Sequence, residues 1–296
     1  MAASTQTATE LTREQVATIL TRPLEQASRF LAAGPRIFDT DGSPVRIPRT
    51  PTFEYGDDGG DVDELPFTGE NELIPEADLD TDETVLLPST MKSVKVLTRY
   101  SNELARQSIV NMESTLRARL VADVATKLDR QFLSDSDGAG GTEPAGIFHY
   151  AGQNIDADGE LGIDHLHEAE GLALAANVDP AGLVWFMRPE QLTGLRMIRS
   201  GEGSNTYALN PDATTAGGYT LLGKRVLIST HIPAGRMALA AMREVAVARD
   251  LSPTVKVLTE RYADYDQQAI RVVARYDAGP LNDEAIVTVD GITAGA

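Results

Sequence analysis

The stretch SNELARQSIVNMESTLRARLVADVATKLDRQFLSD, residues 101–135, contains the longest periodic pattern in the chain. Its apolar residues recur about every fourth position, which is the spacing of one helix face: Leu104, Met112, Leu116, Leu120, Val124, Leu128 and Phe132. Ser101 is a good N-cap residue, and Ser108 interrupts the apolar series. We expect one helix over about 101–134, roughly 50 Å long at 1.5 Å per residue, packed along one face of a sheet.

A second unusual segment, FEYGDDGGDVDELPFTGENELIPEADLDTDET at residues 53–84, holds thirteen carboxylates and neither lysine nor arginine. Such a run is commonly a solvated loop or a disordered tail. Here apolar residues alternate with the acids, and disordered acidic tails are usually poor in them. The pattern favours a long hairpin that lies against another surface, with Gly59-Gly60 or the Thr68-Gly69 region near its tip.

Charge is distributed unevenly along the 296 residues, whose 26 basic and 44 acidic side chains give a net charge of −18. Residues 53–85 carry −13, whereas residues 86–133 carry eight basic and four acidic groups. The negative net charge argues against non-specific binding to nucleic acid and against attraction to anionic lipid. No cysteine is present, so disulfides and thiolate metal sites are excluded. With no long apolar run and no signal-peptide pattern, we expect a soluble protein made in a cytoplasm, without a membrane partner.

The rest of the chain mixes helices and strands. Helical spacing predicts helices over 11–33, 160–178 and from Pro189 onward. Strands are expected at Val85–Leu97 with a turn at Pro88, at LVWFM (183–187), around Gly223-Lys224, in a hairpin of TVKVLTERY and QQAIRVVARY, and in EAIVTVDGI. Residues 237–251 should be a strand and then a loop. Because no regular βαβ repeat is present, the pattern indicates an α+β fold.

The sequence contains few candidate residues for catalysis or metal binding. Residues 154–165, NIDADGELGIDH, partly match a calcium loop, but position twelve is His165 rather than a bidentate glutamate, so we interpret the segment as a solvated turn. His165 and His167 are two apart, which on a helix points them away from each other and prevents a shared metal. No nucleophile motif accompanies the four histidines. We therefore expect no catalytic residue, no metal site and no cofactor, and hence no enzyme.

Five stretches in a fixed order carry a resemblance to a known family. They are KVLTRYSNELARQS (95–108), LVADVATKLDRQFLSDSDGAGGTEPAGI (120–147), VWFMRPEQLTGLRMIRSGEGSNTYALNP (184–211), GGYTLLGKRVLIST (217–230) and VLTERYADYDQQAIRVVARYDAGPLNDEAIVTV (257–289). Over nearly its whole length the chain resembles the major capsid proteins of tailed bacteriophages, which have the Hong Kong 97-type fold.

The resemblance implies a domain plan. It has an N-terminal arm at 1–35, an extended loop (the acidic hairpin) at 36–88, and a peripheral domain at 89–149 built on a spine helix at about 101–134. An axial domain follows at 150–250. The chain then returns to the peripheral sheet at 251–279 and ends with a strand and tail of the axial domain at 280–296.

The resemblance also implies a function and partners. The protein would self-assemble through hexamers and pentamers into the icosahedral shell of a virion, made in the host bacterial cytoplasm, and would enclose double-stranded DNA without specific binding. A portal, a separate scaffolding protein and a decoration protein would be its partners. Some relatives weld their shells through a lysine in the extended loop. No lysine occurs before Lys92 here, so that chemistry is not carried over and Glu260 is a plain hairpin residue.

In this family the extended loop reaches over the neighbouring subunit, which offers an explanation for the acidic run. The thirteen carboxylates would be held by a basic surface of another copy, and the candidates for it are Lys92, Lys95, Arg99, Arg106, Arg117, Arg119, Lys127 and Arg130. Two alternatives stay open. One is an encapsulin-like nanocompartment that encloses an enzyme cargo, and the other is a metal-dependent enzyme that uses Asn154–His167.

Overall fold

The computed structural model describes ten ranges of the chain, and the statements below concern these alone: 28–40, 43–48, 52–55, 77–80, 83–87, 92–108, 112–138, 141–201, 204–209 and 219–293. The helices in them are α1 Arg29–Ala32, α2 Asn102–Gln107, α3 Met112–Phe132, α4 Ile163–Ala175 and α5 Pro189–Met197. The strands are β1 Arg36–Asp39, β2 Val45–Pro48, β3 Thr52–Tyr55, β4 Ala77–Asp80, β5 Glu83–Leu86, β6 Ser93–Ser101, β7 Gln153–Gly159, β8 Leu183–Met187, β9 Thr220–Leu221, β10 Lys224–Ile228, β11 Met237–Ala241, β12 Val245–Leu258, β13 Gln267–Pro280 and β14 Ile286–Ile292.

The strands form two main sheets. The four-stranded sheet has the order β1-β12-β13-β6, with β1 parallel to β12 and the other neighbours antiparallel. The six-stranded sheet has the order β7-β14-β11-β8-β10-β9 and mixes parallel with antiparallel pairs. Two separate ladders, β2 with β5 and β3 with β4, complete the strands. This mixture of helices and strands matches the α+β prediction.

The sequence of strand β8 is wholly apolar because both faces of the strand are buried. All five of its residues are buried, and they alternate between two cores. Val184 and Phe186 face the core shared with α3 and the four-stranded sheet, whereas Leu183, Trp185 and Met187 face the core under α4 and α5. A strand covered on both faces loses the polar alternation of a half-exposed strand. The buried strand predicted at LVWFM is confirmed.

The spine predicted at 101–134 is two helices rather than one, so that prediction was wrong. Ser101 caps α2 as expected, and its hydroxyl accepts a hydrogen bond from the Glu103 N–H. The helix ends at Gln107 because Ser108 has an extended backbone, with φ −73° and ψ 132°. The break falls where a serine precedes β-branched Ile109 and Val110, residue types that favour a helix only weakly. Helix α3 alone spans about 32 Å.

Helix α3 packs on one face of the four-stranded sheet, against β13 and β6. Its buried residues recur every fourth position, at Leu120, Val124, Leu128 and Phe132. They meet the inward side chains of the sheet, which are Val94, Val96, Tyr100, Ile270, Val272, Ala274 and Tyr276. The predicted packing of an amphipathic helix on a sheet is confirmed, and the opposite face of the sheet points away from α3.

Three further expectations differ from the structure or lie outside it. Residues 237–251, expected as a strand and then a loop, contain β11 and the start of a second strand, β12, whose residues from Val245 to Arg249 pair with β13. Residues 154–159 are strand β7 rather than a solvated turn, because alternate residues Ile155 and Ala157 are buried beside β14. The helix expected over 11–33 lies outside the described residues except for α1, and so does the turn at Pro88.

Asp129 on α3 attaches the chain around residue 28 to the body of the subunit. Its buried carboxylate accepts hydrogen bonds from the Ser28 hydroxyl at 2.5 Å and from the backbone N–H groups of Arg29 and Phe30 at 2.7 and 3.2 Å. These contacts place the Phe30 ring in the core, 4.9 Å from the centroid of Phe132. Residues 28–30 are thereby fixed against α3.

We expect Asp129→Ala to lower the free energy of unfolding of the unassembled subunit by about 3 kcal/mol, because two buried donors and one partly buried donor lose their acceptor. The matched control is Asp123→Ala on the same helix, whose exposed carboxylate pairs with Arg119 at 2.8 Å; its loss should stay under about 1 kcal/mol. Urea unfolding followed by the fluorescence of Trp185 measures both. Equal losses would show that the Asp129 contacts do not stabilise the fold.

Candidate assembly site at the root of the extended loop

After β1, which pairs with β12, the described part of the extended loop is a pair of antiparallel ladders. In the first, Val45 pairs with Leu86 and Pro48 with Glu83; in the second, residues 52–55 pair with residues 77–80. The two ladders confirm that the acidic segment starts and ends as a hairpin. Its tip, including Gly59-Gly60 and Thr68-Gly69, lies outside the described residues.

A buried ion pair holds the root of this hairpin. The Asp277 carboxylate on β13 accepts hydrogen bonds from the Lys92 ammonium at 2.8 Å, from the Leu87 N–H at 2.9 Å and from the Ala278 N–H at 3.0 Å. The Lys92 side chain is 14% exposed and that of Asp277 only 2%. Since Leu87 follows β5 and Lys92 precedes β6, a single carboxylate joins the end of the extended loop to the sheet.

The backbone at Leu87 is strained. Its φ is 51°, in the left-handed region that residues with a Cβ rarely adopt, at a cost of roughly 1–3 kcal/mol. Both Leu86 and Leu87 are buried, and they pack with Ala246 and Ala248 of β12. The apolar contacts and the hydrogen bond to Asp277 together hold Leu87 in this conformation.

Gly279 lets β5 approach the sheet closely. A Cβ at this position would lie 2.9 Å from Leu86 Cδ2 and 3.4 Å from Thr84 Cγ2. The Thr84 hydroxyl also donates to the carbonyl of Pro280 at 3.4 Å. The root is therefore a close contact between β5 and the C-terminal end of β13. A larger residue at position 279 would displace the Leu86 side chain.

The other end of the extended loop starts from an exposed ion pair. The Arg249 guanidinium binds both oxygens of Asp39, with N–O distances of 2.6 and 2.9 Å. The hydrogen bond from Arg249 holds the pKa of the Asp39 carboxyl below its ordinary value, and burial raises the pKa of the neighbouring Tyr276 hydroxyl. The pair thus contributes while Asp39 is ionised and is lost as the pH falls through its lowered pKa.

The basic residues predicted to bind the acidic segment fall into two groups, those with a partner in their own chain and those that are exposed. Several already have partners in their own chain: Lys92 with Asp277, Arg119 with Asp123, Lys127 with Glu143, and Arg99 over the ring of Tyr262. Lys95, Arg106 and Arg130 are exposed. The side chain of Arg117 lies outside the description. Lys92 in particular belongs to the root of its own loop, so it is a wrong candidate for the intermolecular surface.

The residues considered for metal binding serve local structure. Asn154 accepts a hydrogen bond from the Thr288 hydroxyl at 3.2 Å, and Asp156 accepts one from the Asp158 N–H at 3.0 Å. His165 accepts from the Gly162 N–H at 3.1 Å at the start of α4, and His167 is exposed on that helix. Among the residues that the structure describes, no three histidine or acidic side chains are grouped so as to hold a metal ion.

With this geometry established, comparison with known proteins identifies the family. The sequence profile of the phage capsid family matches residues 13–291, which is nearly the whole chain. The chain belongs to the phage capsid family. A search of curated protein sequences returns no match to it.

Solved phage capsid structures share the fold at low sequence identity. A capsid chain of a native GTA particle superposes with a TM-score of 0.72 at 15% identity, over 99% of this chain and 100% of that one. A chain of Microbacterium phage Oxtober96 gives 0.72 at 17% identity, over 97% and 98%. The SrpI encapsulin of Synechococcus elongatus gives 0.62 at 12% identity, over 96% and 97%.

These findings confirm the predicted Hong Kong 97-like capsid fold. They also confirm the prediction that the protein is a bacteriophage major capsid protein, a structural, self-associating component of the virion shell. The family assignment favours the phage capsid prediction over the encapsulin alternative. The likeness to the SrpI encapsulin is also lower in TM-score and in identity than the other two. Within the described ranges, no helix combines the length and apolar character needed to cross a bilayer.

Sequence reasoning missed Asp277, which the structure places at the centre of this capsid protein's loop root. A signal was present: it is the one acidic residue in the strand QQAIRVVARYDAGP, and it stands directly before Ala-Gly-Pro at the strand end. A lone carboxylate in an otherwise apolar and basic strand indicates a specific partner. The identity of that partner, Lys92, depends on the pairing of β6 with β13, which the sequence alone does not provide.

We expect Asp277→Ala to destabilise the loop root, by about 3 kcal/mol, because it leaves the Lys92 ammonium buried without a counter-charge and the Leu87 N–H without an acceptor. Hydrogen exchange of residues 83–101 should accelerate. The double variant Lys92→Met/Asp277→Asn, which keeps an acceptor and removes both charges, should recover most of the loss.

The control for this prediction is Glu143→Ala, which removes the partner of the exposed Lys127 and should change the free energy of unfolding by less than about 1 kcal/mol. Unchanged exchange at residues 83–101 in Asp277→Ala would contradict the role assigned to this carboxylate.

Proposed function

We propose that this capsid protein assembles through hexamers and pentamers into an icosahedral shell around double-stranded DNA, in the host bacterial cytoplasm. A portal, a scaffolding protein and a decoration protein complete the proposed set of partners. The family and its shell-forming relatives support self-association. The packaged DNA would be held without specific binding, since the net charge of −18 repels phosphate at distances up to a Debye length of about 8 Å.

We further propose that the described sheets correspond to two capsid domains. The peripheral domain would comprise residues 89–149 and the returning hairpin of 251–279, and the axial domain residues 150–250 with the chain from 280 to 296. The support is that β6, β12 and β13 share the four-stranded sheet, whereas the strands from β7 to β11 and β14 share the other. The four-stranded sheet also includes β1 and the first residues of β12, so it extends beyond these bounds at residues 36–39 and 245–250. Residues 1–35 would be the N-terminal arm and residues 36–88 the extended loop.

One observation carries the proposal that function lies in contacts between copies. The extended loop is a hairpin of separate two-stranded ladders, and it is attached to the subunit at a root built from the Asp277–Lys92 pair. A two-stranded ladder alone is marginally stable in water, so it needs a surface to cover it. A neighbouring copy in a shell supplies such a surface at every position, as expected for a closed symmetric assembly.

The direct test is to express the chain, with and without candidate scaffolding proteins, and to examine the product by size-exclusion chromatography and negative-stain electron microscopy. We expect closed, hollow particles of uniform diameter. An encapsulin-like compartment would instead purify with an enzyme cargo that mass spectrometry identifies. A stable compact monomer under every condition would contradict the shell function.

A deletion locates the function within the chain. Replacing residues 56–76 by a short Gly-Ser turn keeps the described ladders and should leave the subunit folded, with an unchanged thermal unfolding midpoint, but should abolish closed particles. The control replaces residues 210–218, NPDATTAGG, which carry a single acidic residue and no large apolar one. Loss of the fold on the first deletion would show that the acidic segment belongs to the subunit core.

A further inference from the structure

A groove lies beside helix α5, in the part of the subunit that contains the six-stranded sheet. It is bounded by α5, by the turn before α4, and by the ends of β7 and β14, and its volume is about 800 Å³. Clefts that bind ligands in proteins have volumes of roughly 300–1,000 Å³. We call this cleft the α5 groove; its lining includes Leu161, Glu190, Gly194, Ile198, Gly235 and Thr293.

Much of the lining of the α5 groove is apolar. Leu195 and Ile292 are buried and line the groove from the side of the core, and Ile198 is half-buried. Met197 also lines the groove and is 62% exposed. Methionine is frequent at surfaces that bind other proteins, because its flexible thioether side chain adapts to different shapes. The groove therefore offers apolar surface that one copy of the chain leaves open to solvent.

Gly194 leaves the backbone of α5 uncovered in the groove. A Cβ at this position would meet no atom within 4 Å, so the space beside the helix is open there. A side chain of a partner can approach the helix closely at such a position.

The charged residues in the lining of the groove are all acidic, and they are Asp158, Glu160 and Glu190. Asp158 and Glu160 are exposed, and neither forms an ion pair with a residue in the described ranges. Acidic groups around an apolar surface are complementary to a partner segment that is both basic and apolar.

The basic residues near the groove in sequence already have partners. The Arg188 guanidinium binds Glu190 at 2.5 Å, and the Arg236 guanidinium binds both oxygens of Asp290 at 2.6 and 2.8 Å. Arg196 lies over the ring of Tyr219, 5.5 Å from its centroid. The subunit therefore leaves Asp158 and Glu160 without a counter-charge, although it neutralises other acids close by.

The rest of the chain does not supply a suitable segment. Outside the described ranges it has three basic residues, Arg13, Arg22 and Arg49, against fifteen acidic ones. The exposed cations Lys95 and Lys256 lie on strands of the four-stranded sheet, and a sheet face is too broad to enter a groove of this volume. A complementary segment is thus expected from a different protein.

We propose that the α5 groove binds a basic, apolar segment of a second protein that associates with the shell. This inference rests on the proposed function and deepens it, because it names the site and the chemistry by which a partner docks. Apolar side chains of the segment pack beside Leu195 and Met197, and its lysines or arginines pair with Asp158 and Glu160. Since both carboxylates are exposed, the ion pairs select the partner and weaken as ionic strength rises, whereas apolar burial provides most of the affinity.

A synthetic peptide tests the groove on the full chain. The probe is a fluorescein-labelled amphipathic peptide of about twelve residues, built from leucine, alanine and arginine, and its counterpart carries glutamate in place of arginine. Fluorescence anisotropy measures its binding to unassembled subunits and to closed particles. We expect the arginine peptide to bind at least about tenfold more tightly than its counterpart. Because the whole chain is acidic, the location of binding decides: hydrogen exchange should slow at residues 158–161 and 190–198.

Two phenylalanine variants place the peptide in the groove or outside it. Gly194→Phe fills the groove and should weaken peptide binding at least about tenfold. The matched control is Gly171→Phe in α4, where a Cβ likewise meets no atom within 4 Å and which does not line the groove; it should change binding by less than about twofold. Since phenylalanine favours a helix more than glycine does, both variants should keep the unfolding midpoint of the parent or exceed it.

A pair of charge variants provides a second readout. Asp158→Asn/Glu160→Gln should weaken peptide binding by about fivefold and reduce its dependence on salt. Asparagine also tolerates the left-handed backbone at position 158, where φ is 47°. The matched control, Asp164→Asn/Glu168→Gln, makes the same change of charge at exposed positions of α4 outside the groove and should have less than about a twofold effect.

Three results would overturn the proposal: equal weakening by the two phenylalanine variants, equal weakening by the two charge variants, or slowed exchange at residues 53–84 in place of the groove. So would slow exchange of the groove in closed particles without peptide, because a second copy of the chain would then occupy it. Absence of closed particles in micrographs of the same sample would defeat the shell function itself, whereas particles that do not bind the peptide defeat only this inference.

Discussion

The carboxylate of Asp277 couples the extended loop to the body of the subunit, and the placement of the loop depends on it. It accepts hydrogen bonds from Lys92 and from the strained Leu87, so it holds both sides of the connection between β5 and β6. A buried carboxylate needs a complete set of partners, because one left unpaired costs several kcal/mol. The direction in which the acidic hairpin leaves the sheet is consequently set by a small group of buried contacts, including the close approach of Leu86 to Gly279.

Beyond the root, the hairpin carries most of the acidic run of residues 53–84. The compact part of the subunit has apolar cores on both sides of β8, and the folding of one copy buries them. The two-stranded ladders of the hairpin are only marginally stable alone, and we propose that contact with a neighbouring copy stabilises them.

Much of the fold could be predicted from periodicity and turn chemistry. The buried strand at 183–187, the helix that begins at Pro189, the closing hairpin and the last strand all follow from local patterns, and the structure contains each of them. The errors occurred where tertiary contacts outweigh local signals. Apolar spacing continues across Ser108 although the helix does not, and β7 is a strand because β14 pairs with it, despite a composition typical of a turn. The root of the loop could not be derived, because Asp277 and Lys92 meet only through the pairing of strands distant in sequence.

We propose that the extended loop, fixed to its own subunit at the Asp277–Lys92 root, makes its remaining contacts with a neighbouring copy. A cryo-electron microscopy reconstruction of the assembled shell tests this most directly. We predict continuous density for residues 53–84 running from the loop root of one subunit onto the adjoining subunit. Density for the segment over its own subunit would contradict this proposal.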